Sequence, residues 1–71
     1  MNDDQEKLAA RIERLVRRQT NDKVRELRVV VLSERIILSG RCGTFYSKQL
    51  AQHAAMTLAD ESPLVNQIDV W

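Results

Sequence analysis

The chain has 71 residues, with 11 Lys+Arg against 10 Asp+Glu for a formal charge of +1, and is 44% hydrophobic and 30% charged. That length supports one small domain with one core, near the limit at which burial alone offsets chain entropy, and the composition is that of a folded domain rather than a disordered segment. Near-neutral charge excludes a global field steering the chain to nucleic acid or an anionic membrane, and a lone cysteine, Cys42, excludes an internal disulfide or a multi-cysteine metal site.

The sequence opens on the acidic NDDQE with no apolar leader after Met1, and no apolar run approaches the ~20 residues of a membrane span. A cytoplasmic protein is expected; a chain trimmed of an export leader would belong instead to the envelope or periplasm. Leu8, Ile12, Leu15 and Val16 recur at helical spacing and predict a helix over 3–19. Asn2 or Asp3 suits its cap, acids fill its first turn, and Arg17 and Arg18 complement the dipole of its last. Gln19-Thr20-Asn21-Asp22 then turns the chain.

Two β-rich runs follow, predicted as strands 26–33 and 35–42 of a hairpin. Alternation puts Leu27, Val29 and Val31 on one face, with Ile36, Leu38 and Cys42 on the matching face of the partner. Cys42 reads as a small buried hydrophobe. Ser33-Glu34 is poor two-residue turn chemistry, which suggests a longer or bulged loop and leaves the register open by one residue. Thr44 caps a second helix over 44–59, whose inward stripe is read as Leu50, Ala51, Ala54 and Leu58, helped by Phe45 or Tyr46. Asp60-Glu61-Ser62-Pro63 ends it. The last strand, 64–71, places Leu64, Asn66, Ile68 and Val70 on one face and Val65, Gln67, Asp69 and Trp71 on the other.

The expected fold is α+β, a two-layer α/β sandwich in the order α-β-β-α-β, with two helices on one face of a three-stranded sheet. The connection from the second strand to the third is expected to be a right-handed crossover. The third strand can pair with either the first or the second.

From Lys23 to Val70 the chain resembles a BON domain, the small module named from bacterial osmotic-shock and nodulation proteins. The resemblance rests on Val29 to Thr44 (VVVLSERIILSGRCGT), on Ser47-Lys48 at the start of the second helix, and on Val65-Asn66-Gln67-Ile68-Asp69-Val70. Leu38-Ser39-Gly40-Arg41 and Val65-Asn66 are its most specific parts. The chain departs from the family pattern at Glu34, where a Gly is usual, and at Asp60 to Pro63, which replace a Gly-Val. The resemblance implies a non-enzymatic module of bacterial envelope, stress-response and channel proteins, proposed to bind phospholipid or partner proteins.

Three surfaces can carry function. With one sheet face turned to the helices, Val30, Leu32, Ile37, Val65 and Trp71 point the other way and form an apolar surface suited to a homodimer or a protein partner. Arg17, Arg18, Lys23, Arg41 and Lys48 are candidates for an anionic phospholipid or phosphate, with Arg11 and Arg14 adding to the basic helix. Gly40-x-x-Gly43 before a helix suits a phosphate loop and is similar to the GxxG loop of KH nucleic-acid modules. Nucleic acid is disfavoured by near-zero charge and sparse aromatics. His53 has no second His, and no Ser, Cys or Tyr has a His or paired carboxylate at catalytic spacing, so no enzyme, cofactor or metal site is expected.

Overall fold

The Leu8, Ile12, Leu15, Val16 stripe forms helix α1 (Asp3–Gln19), with Ile12 and Val16 fully buried, in a computed structural model that describes residues 3–71. Asn2, considered as its cap, lies outside the described residues. At the other end Asn21 (φ 53°) and Asp22 (φ 60°) adopt left-handed backbone. The Asp22 amide donates to the Arg17 carbonyl at 2.8 Å and the Asn21 amide to the Arg18 carbonyl at 3.3 Å. This is a Schellman stop, which Asn and Asp tolerate without glycine.

Strands β1 (Arg25–Val31), β2 (Ile36–Cys42) and β3 (Leu64–Val70) form a mixed sheet in the order β1-β2-β3. β1 is antiparallel to β2, and β3, left unplaced by the sequence, pairs parallel to β2 through helix α2 (Phe45–Ala59). Val31 pairs with Ile36 and Val29 with Leu38, so the hairpin turns at Ser33-Glu34 and the register left open by the sequence is settled. The strands are shorter there than expected, because Leu32 to Arg35 form a connection in which the Leu32 amide donates to the Arg35 carbonyl at 2.8 Å. No residue of that connection has positive φ, so no glycine is needed.

The irregularity lies at the opposite end of the hairpin. Arg28 pairs with Ser39 but Arg25 with Arg41, so β1 carries one extra residue opposite Gly40. Glu26 absorbs it at φ 54°, which lets Val24 and Leu27 both point into the core. Gly40 sits at φ 149°, where a Cβ would stand 2.9 Å from the Arg25 carbonyl oxygen and 2.9 Å from Val24 Cγ1. Glycine is required at this position by backbone and space together.

Both helices cover the inner sheet face. Ile36, Leu38, Cys42 and Ile68 are fully buried against Ile12 and Val16 of α1 and Ala51, Ala54, Ala55 and Ala59 of α2. Each fully buried aliphatic contributes ~1.5–3 kcal/mol. The α2 stripe differs from expectation: Leu50 and Leu58 are half-buried, Phe45 and Tyr46 are exposed, and Ser47 with the alanines faces the sheet. Small side chains bring the helix axis close to the strands, and the larger ones are turned to its flanks. α2 begins one residue later than expected because Thr44 is its cap, accepting from the Ser47 amide at 3.1 Å. Asn66 ties β3 to α2, its Nδ2 donating to the Lys48 carbonyl at 3.1 Å and to Gln52 Oε1 at 3.3 Å, while its Oδ1 accepts from the Ile68 amide at 3.1 Å.

Candidate functional site: the outer face of the sheet

Because side chains alternate along each strand, the residues between the core positions emerge on the outer face, and register aligns them into rows. Val30 pairs with Ile37 and Ile37 with Val65, so three aliphatics form one row across all three strands. All three are half-buried, as is Leu32 one step beyond the end of β1. The next row, Arg28, Ser39 and Gln67, is polar, and the one after, Arg25, Arg41 and Asp69, is charged.

Trp71 completes the face but not the row. Its amide donates to the Cys42 carbonyl at 3.1 Å, extending the parallel ladder one residue past β3 to the expected strand end at Trp71. It lies six positions beyond Val65, a distance of ~20 Å along an extended strand. Its ring lies under Arg41, whose guanidinium carbon is 4.9 Å from the ring centroid. The five expected interaction residues thus divide into the Val30–Ile37–Val65 row with Leu32 beyond it at the hairpin end, and Trp71, stacked with Arg41, at the other. Glu26, Arg28, Arg41 and Asp69 line the depression between them.

The five anion candidates do not converge. Arg17 lies 3.5 Å from Glu13 and 3.5 Å from Asp22 in two exposed ion pairs. Arg18 shares a depression with Arg11, Arg14 and Leu58; Lys23 lies between the α1 exit and the α2 start; Lys48 lies beside Phe45 and Gln52; Arg41 is on the outer sheet face. The two glycines of Gly40-x-x-Gly43 are held differently. Gly40 is inside β2, paired with Ile68 and serving the bulge, and Gly43 stands in open space.

Sequence reasoning missed a further feature. The chain has one Phe, one Tyr and one Trp, and all three are exposed, Phe45 at 75%, Tyr46 at 69% and Trp71 at 61%. The α2 start and the ends of β2 and β3 bring them to one end of a molecule 32 Å long. The opposite end carries the acidic first turn of α1, the hairpin tip at Glu34 and the Asp60-Glu61 turn. The small-residue spacing Ser47, Ala51, Ala55, Ala59 was the signal that Phe45 and Tyr46 lie off the packed stripe.

Cys42 is fully buried and its thiol donates to the Thr44 carbonyl at 3.2 Å, while His53 is exposed. Among the described residues no three His, Cys, Asp or Glu side chains gather as a metal site, and no helix is long and apolar enough to cross a membrane. No family model matches the chain, and no curated protein matches it.

Proposed function

We propose that the chain is a non-enzymatic interaction module of BON-like fold that associates with its own copy or with a partner protein through the outer sheet face. The observation that carries this reading is the Val30–Ile37–Val65 row, three register-paired aliphatics on the face opposite both helices. At ~25 cal/mol per Å² of apolar surface, a contact over a few hundred Å² favours association by several kcal/mol before its entropy cost. The BON-like part of the proposal is supported by the element order and by Asn66, whose side chain joins β3 to α2. Sedimentation equilibrium over a wide concentration range, at low and high salt, tests it. Association that persists at high salt and that Ile37→Thr abolishes supports an apolar sheet contact; association unchanged by Ile37→Thr contradicts it.

A second reading is favoured by the exposed aromatic end. Phe45, Tyr46 and Trp71 with Lys23, Arg41 and Lys48 have the chemistry of an interfacial anchor on an anionic phospholipid surface. Co-sedimentation with phosphatidylserine vesicles at low salt, with a blue shift of Trp71 emission, supports it. Failure to bind such vesicles contradicts it. The KH-like alternative has less support than either, since Gly40 is held within β2 and Gly43 alone lies in the turn before α2.

A further inference from the structure

Resting on sheet-face association, we infer that the partner is a second copy of this chain, placed face to face about a two-fold axis that runs along β2. Such an axis keeps each row at its own level and lays β1 of one copy over β3 of the other. Val30 then meets Val65, Arg28 meets Gln67 and Arg25 meets Asp69, each contact made twice, and Ile37 meets Ile37 once on the axis. Apolar groups meet apolar groups and opposite charges meet. Among the described residues Arg25 and Asp69 make no ion pair within their own chain, so both are free for this contact.

The competing axis, across the strands at the Ser39 level, sets the Ile37 row against the Arg41 row. It buries charge on aliphatics, which is costly. Moved over the apolar row, that axis leaves the charged rows beyond the partner's edge. On the preferred axis the outward β2 residues Ile37, Ser39 and Arg41 face their own equivalents; of these only Arg41 is charged, and its stack on Trp71 draws the guanidinium towards β3. The face measures roughly 14 by 23 Å from strand spacing and rise. Even with side-chain relief, two copies bury less than the ~1,200 Å² of a stable interface, so the dimer belongs to the weak, transient class.

Charge exchange tests the axis. Arg25→Glu and Asp69→Arg each place two like-charge contacts in their own homodimer, and an equimolar mixture of the two variants restores both attractive contacts in the heterodimer. The expected result, by sedimentation equilibrium at low salt, is a weakening of about tenfold or more for each variant alone and recovery to within about threefold of the original strength on mixing. Unchanged thermal midpoints confirm that both variants fold. An original chain that dimerises, with variants that mixing does not rescue, overturns this axis and leaves sheet-face association standing. A chain monomeric at ~1 mM, beyond the range of the weak class, overturns the dimer altogether.

Discussion

The two faces of the sheet are drawn from the same three strands and nearly the same aliphatic residues, yet they end in opposite states. Ile36, Leu38 and Ile68 have no solvent exposure, whereas Ile37, the residue between the first two, is half-buried and lies in a row with Val30 and Val65. A period-two pattern supplies apolar residues to both sides, and the helices decide which side becomes core. Here the decision rests with the alanines of α2 and with Ile12 and Val16 of α1, which fit one face closely. The difference separates what folds the chain from what the chain offers to others.

The sharpest way to break the comparison is to open the covered face. Leu38→Ala removes a fully buried side chain and is expected to cost about 2–5 kcal/mol, a large part of the stability of so small a domain. Denaturant melts should record it, and a loss below 1 kcal/mol, a figure typical of a half-exposed site, would place Leu38 outside the core. Gly40→Ala acts through backbone rather than packing. With φ at 149° and two contacts at 2.9 Å, it should destabilise by about 1–3 kcal/mol, read as a lower thermal midpoint.

Asn66→Ala leaves the Ile68 amide and the Lys48 carbonyl without their side-chain partner. A loss of about 1–2 kcal/mol is expected, with faster amide exchange at Ile68. On the uncovered face, Ile37→Thr should cost about 1 kcal/mol or less in the monomer while removing association. A melt and a sedimentation run on the same sample separate the two effects. The smallest change is expected at Gly43, where added bulk meets nothing. Gly43→Ala should stay within about 0.5 kcal/mol of the original, and a larger loss would mean that the turn before α2 needs its glycine.

The strands and the inward set were legible because alternation runs from Leu27 to Cys42, whereas the register stayed open by one residue because Ser33-Glu34 carries no strong turn signal. The place of β3 was not legible either, since its pattern offers the same inward face to either neighbour. The bulge at Glu26 was hidden for a physical reason: its cause is the contact of Gly40 with Val24 and Arg25, 15 or more positions away in sequence. Of the expected α2 stripe, Ala51 and Ala54 are buried, while Leu50 and Leu58 are half-buried at its flanks. Phe45 and Tyr46 are exposed because the sheet accepts only small side chains at the α2 contact. The outer-face residues were found individually, and only register shows that Val30, Ile37 and Val65 form one row while Trp71 stands apart with Arg41.

The central claim is that association uses the outer sheet face, and a dilution series followed by amide chemical shifts tests it most directly. Sheet-face association predicts concentration-dependent shifts confined to Val30, Leu32, Ile37 and Val65 and the polar rows beside them, with Ser47, Ala51 and Ala55 unchanged. Shifts centred instead on Phe45, Tyr46 and the start of α2, with the Ile37 row silent, would contradict it.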